Sequence, residues 1–566
     1  QVEVLRGPQG TLFGANALAG LINLQSTPTD SEQDLHLEAG VESYGGRRMG
    51  LALGGELTPQ WSGRLALQHY KSDGFFDNQW LGASDTNKRD ELTGRASLSY
   101  SNDRQRLEIG VYRFDIDNGY DAFSLDNTRD TLSDQPGRDR AQTDAARLRW
   151  DWSGDLHYTL QLSHAESDTE YSYDEDWSYV GIAPGWEYSS FDQYRRDRTM
   201  SSLEGRIQSD TSSGSWVVGT YLRNEKESLR RDYTYLDGPF TSDLSIETAA
   251  LFGQFTADLT QTFSAYIGAR LEYRGSDYND INNVDERFSD TLWSGRAGLE
   301  WTPNARNDVY LSVSRGVRGG GANANLLASI NALPDDVGND FTSLGVFDAE
   351  SLINTELGWR WKNAEGTLSS DVTVFSMRRR DQQAKSSLVI PRPDGSTAFI
   401  DYTNNAARGS SDGLEWQLAW AATDALTLQA SLGLLDAHFD SYVTVDGDDL
   451  AGRDQPHAPK TMSQLGVNWR PLASWQLGLD MTTMGDFYFS DRHDTKSPSR
   501  TLFNSFIAWQ GQTWGLRLWG RNLTDEDTFA RGFGSFGNDP RKEYAVEPYY
   551  QYGEPRVVGL TATYKL

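Results

Sequence analysis

Side chains that could bind a ligand gather in four segments that combine aromatic rings with charged residues. They are NGYDAFSLDN at 118–127, EDWSYVGIAPGWEYSSFDQYRRDR at 175–198, RRDYTYLDGPF at 230–240 and the arginine triplet at 378–380. Ring faces and guanidinium groups suit a large anionic or aryl ligand. Stacking on sugar rings and packing of loops against one another are the alternatives. The candidate ligand-binding residues are Tyr120, Phe123, Trp177, Tyr179, Trp186, Tyr188, Arg230, Arg231, Tyr233, Arg378, Arg379 and Arg380.

Motifs for catalysis or metal binding are weak in this sequence. Gly409–Gly413 has the G-x-S-x-G spacing of serine hydrolases, but it leads into the strand-like run GLEWQLAW instead of a strand-to-helix elbow. The seven histidines are scattered without metal-ligand spacing, and the acidic run at 277–286 lacks the calcium-loop pattern. The chain has no cysteine, which excludes thiol nucleophiles and thiolate metal sites. We therefore expect no catalytic residue, no metal site and no cofactor.

Composition limits the class of protein. The 566 residues are only 37% hydrophobic, and no stretch approaches the ~20 apolar residues of a transmembrane helix. A formal net charge of −29 without a basic patch argues against nucleic-acid binding. An outer-membrane barrel fits this composition, because its strands present apolar residues to lipid only at every second position.

Strict alternation of apolar and polar residues predicts β-strands of about ten residues. The clearest example is Phe263–Tyr273, where Ile267 and Leu271 fall on one face and Arg270 and Glu272 on the other. Short turns are predicted at 58–60, 101–103, 259–261, 302–304, 423–424 and 511–512, and long loops near 117–140, 168–198, 229–243, 317–349, 381–402, 439–459 and 524–553. Short turns at one end and long loops at the other are typical of outer-membrane barrels. Counting the alternating segments between these turns and loops predicts an all-β transmembrane fold with about 22 antiparallel strands.

The final segment VVGLTATYKL alternates to the C-terminus, so we expect Val558, Leu560 and Leu566 to face lipid. Aromatic residues near the predicted strand ends would form the two interfacial girdles of such a barrel. They are Trp61, Tyr70, Phe114, Trp301, Trp475, Trp514 and Tyr564.

Residues 1–30 depart from the barrel pattern. The stretch VEVLRGPQGTLFGANALAGLINLQSTP resembles the C-terminal end of the plug domain of TonB-dependent outer-membrane receptors. SRGVRGGGANAN at 314–325, ESLINTELGWRWK at 350–362 and NLTDEDTF at 522–529 extend the resemblance along the chain. The glycines of the first stretch permit tight turns where a plug fits inside a barrel wall, and its arginine can pair with lumen carboxylates. The predicted structural and gating residues are Arg6, Gly7, Pro8, Gly10, Gly14 and Gly20.

The resemblance implies a plug remnant at 1–30 and a barrel at 31–566. It also implies a TonB box and about a hundred earlier plug residues, and neither is present, so we expect a chain truncated at its N-terminus. The last residue is Leu566, where the family usually ends in Phe.

By this resemblance the protein imports a scarce ligand into the periplasm of a Gram-negative bacterium, and a ferric siderophore is the leading expectation. The expected partners are outer-membrane lipid, lipopolysaccharide, and TonB with its inner-membrane energising complex, which would act through the missing N-terminal segment. We expect a monomer that is not an enzyme. A carbohydrate or cobalamin importer of the same family and a passive porin-like channel are the alternatives.

Overall fold

The chain forms one closed β-barrel. The computed structural model describes residues 1–30, 34–329, 344–391, 397–444 and 447–566. Twenty-two antiparallel strands build the wall, which confirms the predicted fold and strand number. A closed barrel leaves no strand edge unpaired, which a membrane protein requires because lipid offers no hydrogen-bond partners.

The elements follow the chain in a simple order. A two-stranded hairpin and a short helix come first: β1 (Val2–Arg6), α1 (Gly10–Phe13) and β2 (Gly20–Leu24). The barrel strands are β3 (Asp34–Glu42), β4 (Gly46–Thr58), β5 (Trp61–Ser72), β7 (Arg89–Ser101), β8 (Gln105–Tyr120), β10 (Gly137–Ser153), β11 (His157–Asp174), β12 (Phe191–Thr211), β13 (Gly214–Tyr233), β14 (Phe240–Asp258), β15 (Phe263–Asp280), β16 (Asp285–Asn304), β17 (Asn307–Arg318), β20 (Glu350–Lys362), β21 (Leu368–Pro391), β22 (Thr397–Thr423), β23 (Leu426–Ser441), β24 (Thr461–Leu472), β25 (Trp475–Met484), β28 (Arg500–Gln510), β29 (Trp514–Arg521) and β32 (Val557–Lys565). The connections contain β6 (Asp77–Asn78), β9 (Asp130–Thr131), β18 (Gly321–Ala322), α2 (Ala324–Ser329), β19 (Val346–Phe347), β26 (Phe487–Tyr488), β27 (Lys496–Ser497), β30 (Phe529–Phe533), a 3₁₀ turn at Pro540–Lys542 and β31 (Tyr549–Tyr552). Within the described ranges, no helix has the length and apolarity needed to cross a membrane.

Alternating polarity places apolar side chains outside the barrel and polar ones inside. On β15, Ile267 and Leu271 are 64% and 58% exposed, whereas Arg270 and Glu272 are 4% and 5% exposed. Successive side chains of a strand point to opposite faces, so this pattern puts the first pair towards lipid and the second towards the lumen. The prediction for this segment is confirmed.

The terminal strand closes the barrel, as predicted. Strand β32 pairs with β29 on one side and with β3 on the other, where Val41 stands opposite Leu560. Val558 and Leu560 are exposed on the outer face, and Val557 is buried on the inner face. The same alternation that predicts lipid contact therefore also fixes the register of the closure.

The two ends of the barrel differ, as predicted. Adjacent strands are joined at one end by tight turns of the kind seen between Thr58 and Trp61 and between Gln510 and Trp514. The other end carries long loops, including two that the sequence did not predict, at 73–88 and 485–499. The predicted loop at 229–243 is mostly strand, and only 234–239 connects β13 to β14. Parts of the predicted loops 317–349, 381–402 and 439–459 lie outside the described residues.

An aromatic girdle marks the end with the tight turns. Its rings pair across neighbouring strands, with Phe263 stacked on Trp301 at 5.8 Å and Trp514 edge-on to Tyr564 at 4.9 Å. Trp61 and Trp475 also lie on this rim. The prediction that Tyr70 and Phe114 belong to the girdles is wrong, because the alternation of their strands directs both side chains towards the lumen. The Tyr70 hydroxyl donates to Glu42 there.

The wall has unequal height. Strands β10 to β16 contain 17 to 21 residues, and we call them the tall wall. The next strand, β17, contains only 12 residues. Strands β24, β25, β28, β29, β32 and β3 contain 8 to 12 residues and form the low wall. About 9–11 tilted residues cross a bilayer, so the tall wall rises well beyond the membrane and the low wall does not.

Candidate ligand-binding site

The N-terminal segment, residues 1–30, lies inside the barrel against inward-facing residues. Arg6 forms an ion pair with Glu415 of β22, and Gln9 Nε2 donates to the Arg6 carbonyl over 3.0 Å. A Cβ placed on Gly7, whose φ is +68°, would lie 2.9 Å from Asn354 Nδ2. The loop around Arg6 is therefore held both by charge and by close packing.

The glycines of this segment lie where the chain meets the wall or itself. A Cβ on Gly10 would lie 3.0 Å from Ser294 Cβ, and one on Gly14, whose φ is +89°, would lie 3.1 Å from Arg270 Nη2. A Cβ on Gly20 would come within 2.6 Å of the Leu5 carbonyl oxygen across the hairpin. Pro8 packs against Gly316 of β17, where an added Cβ would lie 2.9 Å away. The close fit agrees with a structural role, and the gating role stays a prediction.

A second anchor, which the sequence did not reveal, holds the end of the segment. The buried Thr29 hydroxyl meets Ser62 Oγ at 3.0 Å and also contacts Ser99, while Arg106 Nη1 donates to Asp30 over 2.6 Å. These serines follow the inward half of the alternation on β5 and β7, and that is the only sequence signal that could have indicated them.

Two of the candidate ligand-binding aromatics form a core between loops. Phe123 stacks on Trp177 with centroids 4.8 Å apart, and Trp177 meets Tyr549 edge-on at 5.2 Å. Phe123 and Trp177 are 6% and 9% exposed. Their faces are covered by the last extracellular loop, 522–556, so in this conformation they pack loops together.

The other loop aromatics also contact one another. Tyr179 stacks on Trp80 at 3.7 Å, and Trp186 meets Tyr188 edge-on at 4.9 Å. Tyr120 accepts a hydrogen bond of 3.5 Å from Arg531, whose guanidinium comes from the last loop. These rings line the mouth of the barrel above the lumen.

The adjacent arginines of β13 have opposite environments. Arg231 is buried in the lumen face, where it donates to both carboxylate oxygens of Asp192 over 3.0 and 2.8 Å. It lies over the ring of Tyr233, 4.5 Å from the centroid. Arg230 points outward and pairs with Asp232 on the exposed surface. The structure therefore brings Arg231 and Tyr233 together and separates Arg230 from them.

The arginine triplet of β21 is divided in the same way. Arg379 faces the lumen and pairs with Glu350, a carboxylate that is 1% exposed. Arg378 and Arg380 are exposed on the outer face, where Arg378 pairs with Asp412. Alternation alone separates the three guanidinium groups.

The lumen contains a cavity of 570 Å³ on the low-wall side, and sequence reasoning did not identify its lining. Apolar side chains dominate its walls, and Met462 stands opposite Met484, which in turn stands opposite Arg500. The sequence signal that could have indicated this lining is the inward position of Met462, Met484 and Arg500 in the alternation of β24, β25 and β28. The lining residues used below are Phe375, Glu415, His457, Met462, Met484, Phe487, Arg500 and Phe529.

Charge in this cavity is sparse and unbalanced. Glu415 is already paired with Arg6, and burial lowers the pKa of the loop residue His457, which favours its neutral form. Arg500 forms no ion pair or hydrogen bond with any residue in the described part of the chain. Within the described ranges, the cavity therefore offers one free cation beside aromatic and thioether groups. Among the described residues, no three His, Cys, Asp or Glu side chains gather into a group that could hold a metal ion.

Known proteins share this architecture. Residues 79–523 match the family model described as "TonB dependent receptor-like, beta-barrel". The pesticin receptor of Yersinia enterocolitica is 24% identical over 537 residues, which cover 90% of this chain and 74% of that protein. The iron-regulated outer membrane virulence protein of Vibrio cholerae is 23% identical over 534 residues, with coverage of 90% and 73%.

Solved structures show the same fold. The ferric yersiniabactin uptake receptor FyuA from Yersinia pestis superposes with a TM-score of 0.81 at 20% identity, covering 100% of this chain and 85% of that chain. The siderophore receptor PiuA from Acinetobacter baumannii gives a TM-score of 0.79 at 14% identity, with coverage of 100% and 86%. The family match spans well over half of the chain, and the 22-stranded barrel agrees with it. This chain therefore belongs to the TonB-dependent receptor-like β-barrel family of the Gram-negative outer membrane.

Proposed function

We propose that this receptor imports a ferric siderophore and that the lumen cavity is its binding site. One observation supports this most directly: the cavity combines aromatic and thioether walls with the guanidinium of Arg500, which has no partner among the residues that the structure describes. Its volume of 570 Å³ falls in the range of about 300–1,000 Å³ that is usual for small-molecule sites. An iron chelate with aryl groups and a negative charge matches both the walls and the cation.

Neutral ligands fit this site less well. A sugar offers many hydroxyl groups and needs many hydrogen-bonding partners, because unpaired polar groups are costly when buried. The cavity wall supplies few of them, whereas Phe375, Phe487 and Phe529 offer apolar area. The aromatic residues at the mouth would make the first contacts with an arriving ligand, and they must separate to admit it.

Transport would proceed without covalent chemistry. Glu415 both lines the cavity and binds Arg6, so a ligand beside Glu415 can alter how the wall holds the N-terminal segment. TonB would then pull on this segment from the periplasm, with energy drawn from the inner membrane. The role of Arg6, Gly7, Pro8, Gly10, Gly14 and Gly20 in gating belongs to this proposal.

Binding of iron chelates to the purified receptor tests the proposal. The ligands are ferric 5-sulfosalicylate, which is aromatic and anionic, and ferric tris-benzohydroxamate, which is aromatic and neutral, with binding followed by quenching of tryptophan fluorescence. Replacement R500Q should weaken binding of the anionic chelate about tenfold or more, because a charge-assisted hydrogen bond contributes about 1.5–3 kcal/mol. Binding of the neutral chelate should not change.

Arg517 provides the matched control. It also faces the lumen, but its guanidinium lies 3.9 Å from the centroid of the Phe506 ring, and it does not line the cavity. R517Q should bind both chelates as the wild type does. Binding of cobalamin or maltotriose without binding of either chelate would refute the siderophore proposal. Large steady currents through planar bilayers from a receptor chain with its complete plug would favour a porin-like channel.

A further inference from the structure

The outer face of the barrel carries a basic patch for which the transport function has no use. It consists of Arg378 and Arg380 on β21 and Arg408 on the neighbouring β22. Arg379 stands opposite Gly409 and Gln382 stands opposite Ala407, so Arg408 lies across from the irregularity that contains Arg380. Both are exposed, and their strands direct them away from the lumen. We call these three arginines the outer patch.

The outer patch lies at the height of the outer-leaflet headgroups. Trp420 stands opposite Leu368 at the turn end of the barrel and is exposed on the lipid face. Arg378 is ten positions further along β21 than Leu368. At a rise of about 3.4 Å per residue and a tilt of about 40°, this places Arg378 about 25 Å above the girdle, the height of the apolar band.

The surface between the girdle and the patch is apolar. Leu357 and Val374 stand opposite one another and are 52% and 50% exposed, and Leu434 on β23 is 41% exposed. The patch therefore begins where the lipid-facing belt ends. Arginine is tolerated there because a charge on the lipid face costs little near the interface and much at the midplane.

Two of the three guanidinium groups have no partner in the described part of the chain. Arg378 donates to Asp412 over 3.0 and 3.2 Å. Arg380 and Arg408 form no ion pair or hydrogen bond with any residue that the structure describes. The nearby outward carboxylates of β23 have contacts of their own, since Asp440 accepts from Ser410 and lies 3.5 Å from His438. Free arginines are notable in a chain with a net charge of −29.

We propose that the outer patch binds the phosphate groups of lipid A in the surrounding lipopolysaccharide. Phosphate is the group that guanidinium forks bind best, because two parallel N–H donors match its oxygens. Lipid A presents its phosphates at the top of the apolar band, and basic residues at that height attract anionic headgroups. The contact fixes the barrel in the outer leaflet on the side of β20 to β23.

Lipid A titration of protein refolded without lipopolysaccharide tests this inference. The variant is R380Q/R408Q, and native mass spectrometry in detergent measures the bound fraction. The affinity should fall about thirty-fold, because each basic residue near an anionic headgroup contributes a factor of about five. The matched control is R104Q/R306Q, which removes the same charge from the tight turns at the other end, and it should bind as the wild type does.

Three outcomes would overturn the inference. The first is an unchanged affinity of R380Q/R408Q in protein that keeps the heat-sensitive gel migration of a folded barrel. The second is equal binding of dephosphorylated lipid A by the wild type. The third is displacement of lipid A by millimolar inorganic phosphate, which would indicate a site for the free anion. Chelate binding should be the same in both double variants, so this experiment is independent of the proposed transport function.

Discussion

The tall wall and the low wall have the same alternation of polar and apolar residues, but their inward-facing arginines have different partners. On the tall wall, several inward arginines meet carboxylates on the same or the neighbouring strand, as in Arg147 with Glu108 and Arg270 with Glu272. On the low wall, Arg500 has no partner among the described residues, and Arg517 covers a phenylalanine ring. The tall wall thus neutralises part of its own lumen charge, whereas the low wall leaves Arg500 available to a ligand.

The height difference explains where the cavity forms. The tall wall builds its upper part from strands whose side chains pair with one another across the sheet. The low wall ends near the membrane surface, and the loop residues 442–444, 447–460, 485–499 and 522–556 continue above it. Loops can leave space that a regular sheet would fill, so the cavity lies beneath them.

The largest expected effect tests the internal pairing of the tall wall. Replacement D192A leaves Arg231 buried without its carboxylate, and loss of one partner of a buried pair costs about 3–5 kcal/mol. Unfolding by guanidinium chloride in detergent, followed by tryptophan fluorescence, measures the loss. The control D232A removes the partner of the adjacent but exposed Arg230 and should leave the unfolding midpoint unchanged. Equal effects of the two replacements would contradict the distinction.

A charge on the lipid face tests how far the tall wall rises above the membrane. Ile267 is four positions beyond the girdle residue Phe263, close to the midplane, so I267R should destabilise the barrel by about 2–4 kcal/mol in lipid vesicles. Tyr273, six positions further along β15, lies near the upper interface, and Y273R should cost at most about 1 kcal/mol. Similar costs at both positions would mean that the membrane extends higher on the tall wall than the girdle indicates.

The contact between the loop after β8 and the loop above the low wall is tested at Asn127. Its side chain accepts from the Tyr550 amide over 2.9 Å and donates to the Pro548 carbonyl over 2.8 Å, which docks the loop 522–556 on the loop after β8. N127A removes both bonds, and at about 0.5–1.5 kcal/mol each the docked state should lose about 1–3 kcal/mol. Limited proteolysis should then cut within 522–556 several times faster. An unchanged cleavage rate would show that the other contacts hold the loop, namely the aromatic packing and the ion pairs of Arg129 with Asp527 and of Arg541 with Asp126.

The smallest expected effect concerns pH. Burial raises the pKa of Asp121, in the loop after β8, above its ordinary value of 3.8, although bonds from Thr131 and Asn78 oppose the shift. The folded loop therefore binds a proton more tightly than the unfolded loop, and its stability rises as pH falls from neutral towards 3.8. Hydrogen exchange of 121–136, corrected for intrinsic rates, should slow at pH 5 relative to pH 7. D121N should abolish this dependence, and its persistence in D121N would assign the effect to another group.

Much of the barrel was predictable from particular residues. The alternation through Ile267, Arg270 and Leu271 predicted both faces of β15, and the run to Leu566 predicted the closing strand. These predictions succeed because lipid and lumen impose opposite polarities on successive positions of every strand. The site was less predictable: the aromatics at the mouth were identified from sequence, but Met462, Met484 and Arg500 belong to three strands that only the barrel brings together.

The sequence by itself determined the barrel class, the number of its strands, its closure and its family resemblance, because all four depend on local alternation and short motifs. Only the tertiary structure decided the heights of the two walls and the place of the cavity. It also decided that Arg379 pairs with Glu350 and Arg378 with Asp412. The physical reason is that pairing and burial depend on the residues across the neighbouring strands, and the chain order does not reveal the register that sets them.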